Sequence, residues 1–123
     1  MYYLKNKDVI LGELDLDNFT FKAVKDIIYL PYPLYPPDKD YTYNPTKEDV
    51  INFCKSRVMQ EDNQGVKYTL DELGWNSFQP IRLCKLTKCM KLDDFLWIID
   101  VNDTKSKFDY DHMRGKYYKG ELL

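Results

Sequence analysis

Pro31, Pro33, Pro36, Pro37 and Pro45 crowd one short stretch of the chain, set among Tyr32, Tyr35, Tyr41 and Tyr43. Proline has no amide hydrogen to donate and its ring clashes with the preceding helical turn, so neither a helix nor a regular strand can run through positions 31–45. The stretch has to be a loop, and it divides the sequence into two parts of different periodicity. Loops longer than about 12–15 residues are uncommon in compact domains and are often functional or disordered. The four tyrosines could cover the edge of the core or form a partner-binding surface, since tyrosine offers a large amphipathic area at low entropic cost.

Before the loop the pattern is that of strands. Tyr2-Tyr3-Leu4, Val9 to Leu16 and Phe19 to Val24 are short apolar or alternating runs, with turn chemistry at Asn6-Lys7-Asp8 and Asp17-Asn18. They predict a three-stranded antiparallel meander, to which Ile27-Ile28-Tyr29-Leu30 could add a further strand. After the loop, Thr46 is placed to cap a helix from about Lys47 to Met59, with Glu48 and Asp49 in its first turn and Val50, Ile51, Cys54 and Val58 on one stripe. A polar linker at Gln60 to Gln64 leads to a second helix carrying Val66, Leu70 and Leu73, which Asn63 can cap and Gly74 can end. Ser77 is the expected cap of a third helix, with Pro80 in its first turn and Ile81, Leu83, Cys84, Leu86 and Met90 inward. Asp93 can cap a single turn, and Trp97 to Val101 reads as a buried strand that joins the first sheet.

The expectation is therefore a single α+β domain over residues 1–123, a small antiparallel sheet packed against about three α-helices. Its parts are strands over 1–30, the proline- and tyrosine-rich loop over 31–45, helices over 46–92, and a strand with a charged aromatic tail over 93–123. Phe108, Tyr110, Tyr117 and Tyr118 suggest that the tail docks on the body. A chain of 123 residues is long enough to bury its own core.

The charge balance narrows the function. Eighteen basic and twenty acidic side chains leave a net charge of −2, and only Arg57, Arg82 and Arg114 are arginine, the residue best suited to phosphate and guanine. A dedicated nucleic-acid binder is not expected, and a mimic of nucleic acid would need a far more acidic chain. The one basic and aromatic cluster is Lys105, Lys107, Arg114, Lys116, Tyr117, Tyr118 and Lys119, which could stack and neutralise single-stranded nucleic acid but is diluted by Asp103, Asp109, Asp111 and Glu121. Cys54, Cys84 and Cys89 are an odd number of cysteines, and the opening residues form no apolar signal segment. A reducing, cytoplasmic setting fits these features, and no apolar run approaches the roughly 18–20 residues that span a bilayer.

No constellation for catalysis is visible. His112 is the sole histidine and lies in a carboxylate-rich tail. Cys84 and Cys89, five apart on the third predicted helix, would point about 140° from one another, which disfavours a shared metal or a disulfide and leaves them buried thiols. Cys54 reads the same way. The glycines do not cluster, so there is no phosphate-binding loop. The reading is a non-enzymatic protein without metal or cofactor.

One resemblance adds to this. Lys7-Asp8-Val9, Phe53, Arg57, Gly65-Val66 and Asp94-Phe95-Leu96-Trp97-Ile98 resemble the opening, first helix, second helix and closing motif of the accessory domain that precedes the kinase in HipA-like kinases of Firmicutes and their mobile elements. Gln60 and Asn63 stand where that family has a proline and a second arginine, and none of the kinase's catalytic residues is present. The resemblance implies an accessory module without activity, in which Arg57 and the linker with Asn63 form part of a partner surface. Arg57 could equally be a helix-end cation, and Asp94 and Trp97 a cap and a core residue. Three functions follow as expectations. The first is a small protein-binding regulator or inhibitor encoded by a phage or another mobile element, in its sharpest form an anti-CRISPR-type inhibitor of a host defence nuclease, with Tyr32, Tyr35, Tyr41, Tyr43, Arg57 and Asn63 as contact residues. The others are an antitoxin-like module docking on a separate HipA-like kinase, and a nucleic-acid-binding regulator that uses the basic tail.

Overall fold

The structure is a computed structural model that describes residues 1–58, 65–91, 94–103 and 110–111. Four strands, β1 (Tyr2–Asn6), β2 (Val9–Asp15), β3 (Thr20–Ala23) and β4 (Leu96–Asp100), form one antiparallel sheet in the order β3-β2-β1-β4. Among the described residues three helices, α1 (Lys47–Ser56), α2 (Gly65–Leu73) and α3 (Pro80–Thr87), lie between β3 and β4 in the chain. This is the α+β arrangement that the change of periodicity across the proline loop predicts.

The turns follow from their side chains. Lys7 takes a left-handed backbone (φ 54°) between β1 and β2, and its amide donates to the Phe95 carbonyl at 2.9 Å. Between β2 and β3 the Asp15 carboxylate accepts from the amides of Asp17 (2.9 Å) and Asn18 (3.1 Å) and from the Asn18 side chain (2.9 Å). Leu4 pairs with Gly12 and Lys5 with Ile10, so Leu11 is an extra residue in β2. In a regular strand Leu11 and Leu14 would face opposite sides of the sheet; the bulge lets both reach the same core.

That core sets Leu4, Leu11, Leu14, Phe21, Leu96 and Ile98 of the sheet against Val50, Phe53 and Cys54 of α1 and Cys84 of α3. A second cluster joins Trp97 and Ile99 of β4 to Met90 and Tyr110, with Tyr3 against it. α1 packs on α3 and on β3. The expected docking of the tail is realised at Tyr110, which is buried, donates its amide to the Asp8 carboxylate at 2.7 Å, and sets its ring edge-on to Phe95 and Trp97. Phe108, Tyr117, Tyr118 and Asp93 lie outside the described residues.

The helix boundaries differ from the expectation in instructive ways. At the start of α1 the Thr46 hydroxyl accepts from the Asp49 amide (3.2 Å) and the Asp49 carboxylate accepts from the Thr46 amide (2.9 Å), a reciprocal capping box. The helix stops at Ser56, short of Met59, because the Arg57 amide turns back to the Cys54 carbonyl. α2 ends as expected at Gly74 (φ 71°), with Trp75 donating to Leu70 and Gly74 to Asp71 in a Schellman arrangement. α3 begins after Gln79, not Ser77, since Pro80 occupies its first position.

The largest correction is at the end of α3. The helix does not continue to Met90 but ends at Thr87, after which Lys88 (φ 54°) and Cys89 (φ 58°) are both left-handed. This reversal brings the Cα atoms of Cys84 and Cys89 to 4.8 Å, and the two form a disulfide. The 140° separation that argued against a bond holds only inside a continuous helix. The apolar run Ile27 to Leu30 is also not a strand. Ile27 and Leu30 pack against the core while Ile28 points outward, and Pro31 and Pro33, which have no amide hydrogen, prevent a ladder from continuing past Leu30.

Gly12 records how tightly β2 and β3 are fitted. A Cβ there would lie 2.4 Å from the Lys22 carbonyl oxygen and 2.6 Å from the Phe21 ring. Gly12→Ala is expected to destabilise the fold by about 1–3 kcal/mol, the range for forced overpacking, read as a lower urea midpoint at unchanged slope.

Candidate functional site

Arg57 follows the last turn of α1, and its side chain is turned inward, only 5% of the residue being exposed. Its guanidinium grips Asp94 with two parallel bonds, Nη1 to Oδ2 at 2.5 Å and Nη2 to Oδ1 at 2.6 Å. Nε donates to the Cys89 carbonyl at 2.7 Å and Nη2 also to the Leu96 carbonyl at 3.2 Å. Asp94 in turn accepts from the Leu96 amide at 3.1 Å. One side chain thereby joins the end of α1, the turn after α3 and the start of β4. Such a buried fork is a structural clamp that leaves Arg57 unavailable to a partner; it stands at the end of α1, but its side chain bonds the turn after α3, Asp94 and β4 in place of the carbonyls of its own helix.

The clamp shapes the titration of its carboxylate. Burial alone would raise the Asp94 pKa, but the hydrogen bonds and charge of Arg57, with the Leu96 amide, outweigh it and hold the carboxyl below its ordinary value. Cys54 shows the opposite balance. Burial pushes its thiol up to about 12 against the opposing charges of Arg57 and Lys85, so it is a neutral core group and no nucleophile. Among the described residues no group of three or more His, Cys, Asp or Glu is placed to hold a metal ion.

The tyrosines of the proline loop divide. Tyr35 is 3% exposed and sits in the core beside Leu34, with its ring edge-on to Phe21 and Tyr43, so it is not available to a partner. Tyr43 is half-buried and donates its hydroxyl to the Asp49 carboxylate, tying the loop to the α1 capping box. Tyr32 and Tyr41 point outward, 67% and 66% exposed. The loop between them is built from hydrogen-bonded turns, Tyr35 amide to Pro31 carbonyl (2.8 Å), Lys39 to Pro36 (3.0 Å) and Tyr43 to Asp40 (3.1 Å). Asn63, Lys105, Lys107, Arg114, Lys116, Tyr117, Tyr118 and Lys119 lie outside the described residues.

Sequence reasoning missed the most exposed apolar side chain of this region. Ile28 is 76% exposed, and Tyr29 and Val24 are also exposed. The sequence pattern assigns them to strands; the signal against this is the immediate onset of prolines after Leu30. On the sheet, Tyr3, Ile10, Gly12, Glu13, Lys22, Ala23 and Val24 line an open groove of about 330 Å³ in which Glu13 and Lys22 are cross-strand partners. α2 adds Tyr68, 80% exposed. No helix among the described residues is long and apolar enough to cross a membrane. No family model, curated protein or solved structure matches the chain.

Removing one partner of the clamp leaves the other desolvated. Arg57→Met is expected to cost about 2–4 kcal/mol, toward the lower end for a broken buried pair because Asp94 keeps some solvent contact. The depressed Asp94 pKa contributes stability that is complete above its ordinary value and is lost as pH falls through the folded one. In urea titrations, the stability gap between the native chain and Asp94→Asn should therefore be widest near neutrality and shrink below about pH 4.

Proposed function

We propose that this chain is a small non-catalytic regulator that binds a larger protein and occludes part of its surface. The observation that supports this reading is a loop held at its base and apolar at its rim. Pro31, Leu34 and Tyr35 are buried and anchor the segment, and Ile28, Tyr29, Tyr32 and Tyr41 are left facing solvent. Large apolar and aromatic groups on an already ordered loop bind with little further loss of chain entropy, and aromatic anchors of this kind dominate protein–protein contacts.

The sharpest form of the proposal is an inhibitor of a host defence nuclease, of the anti-CRISPR kind, encoded by a phage or another mobile element and acting in the cytoplasm. A lysine- and tyrosine-rich, arginine-poor composition suits such a source in a low-GC host. Arg57 is buried in its clamp and takes no part in contact.

The test is direct binding by the purified chain to purified CRISPR effector nucleases, with a HipA-like kinase in the same panel, at low and high salt. Binding to a nuclease that persists at high salt, with loss of DNA cleavage, is the expected result. Ile28→Ser combined with Tyr32→Ala should weaken that binding at least tenfold while shifting stability by less than about 0.5 kcal/mol, as for exposed sites. Tyr35→Ala should do the reverse and destabilise the fold by about 3 kcal/mol through a core cavity. Unaltered binding by the double variant would move the contact away from this loop, and no binding to any nuclease would overturn the sharp form.

A further inference from the structure

The turn after α3 stands at a junction. The Cys89 carbonyl receives Arg57 Nε at 2.7 Å, the Lys88 carbonyl accepts from the Ile98 amide of β4 at 2.8 Å, and Met90 packs against Trp97 and Tyr110. All three contacts require the chain to reverse at Lys88 and Cys89, two consecutive residues without a glycine in the left-handed region. That conformation is unfavourable for L-residues with a Cβ. What closes the reversal covalently is the disulfide between Cys84, in the last turn of α3, and Cys89.

A second conformation is written into the same residues. Leu83, Leu86 and Met90 keep helical spacing, and nothing between Thr87 and Met90 is a proline or a glycine. In a helix continued through Met90 the two cysteines would stand about 140° apart around the axis and could not be bonded. The disulfide and the longer helix exclude one another, which makes the turn a two-state element.

We propose that the Cys84–Cys89 disulfide is a redox latch: oxidised, it holds the 88–90 turn that seats Arg57 and clasps β4; reduced, it lets α3 extend through Cys89 and frees both. The inference stands apart from the binding reading and holds whether or not the loop binds a protein. The reductant is a dithiol. Its thiolate attacks one sulfur to form a mixed disulfide, and its second thiol releases the chain. Two electrons and two protons are transferred, Cys84 and Cys89 end as thiols, and the reductant ends as its own disulfide. Both sulfurs are buried, so attack waits on opening of the turn. Cys54 does not compete, because its buried thiol stays protonated. Oxidation sets the latch and a dithiol releases it.

The experiment uses the whole chain with dithiothreitol as the dithiol. Denatured in N-ethylmaleimide without reductant, the protein should take one label, at Cys54, and three after reduction of the native protein. On native reduction, amide hydrogen exchange at Ile98 should quicken by about tenfold or more while β2 keeps its protection, and helical circular dichroism should rise. Cys84→Ser/Cys89→Ser should reproduce the reduced pattern and ignore dithiothreitol; if that variant does not fold, reversible reduction of the native chain decides alone. Three labels without reductant, a disulfide that resists dithiothreitol until global unfolding, or identical exchange in both states would each overturn the proposal.

Discussion

The buried guanidinium of Arg57 is the constraint on which the architecture turns, because it is where three otherwise separate chain ends are made to agree. α1 must stop at Ser56 for Arg57 to swing inward, α3 must stop at Thr87 for the Cys89 carbonyl to be offered, and β4 must start at Leu96 for its carbonyl and amide to complete the set. A charge taken out of water demands nearly every hydrogen bond it can make, so each boundary is fixed more sharply than helix or strand propensity would fix it. The residues beside it serve the same joint. The Trp97 indole donates to the Lys7 carbonyl at 2.5 Å, and the Tyr110 hydroxyl to the Asp94 carbonyl at 3.4 Å.

Around that joint the apolar groups are shared between two sides of one sheet. The larger cluster lies under α1, α3 and the proline loop, and the smaller one gathers on Trp97 and Ile99. The loop is part of the first cluster through Leu34 and Tyr35, which explains how so proline-rich a segment is ordered without any regular structure: its backbone pairs locally in turns while two side chains anchor it. The exposed rim and the buried base are thus consequences of one packing arrangement.

The strands, the α1 capping box and the Gly74 stop were legible in the sequence because each is signalled within a few residues. What was not legible depends on distant or unmarked features. Arg57 and Asp94 are 37 positions apart, and nothing local shows that one is buried on the other. Lys88 and Cys89 adopt a backbone that sequence reasoning assigns to glycine or asparagine, so the sequence pattern alone extends the helix too far and holds the two cysteines apart. In the loop the clue was present but weak. Leu34, an aliphatic residue among prolines, marked the point at which the segment turns inward, and its neighbour Tyr35 went with it.

The central position of β1 has a consequence for how the chain assembles. Its pairing with β2 spans a short hairpin, but its pairing with β4 joins Asn6 to Leu96 and Tyr2 to Asp100, across most of the polypeptide. Closing so long a loop is slow relative to forming local hairpins. On a ribosome, the meander would emerge with one side of β1 bare and would have to wait, through the synthesis of three helices, for the strand that covers it. The interval is the period in which the nascent chain is most open to mispairing, and its length is set by translation speed as much as by the energetics of the finished sheet.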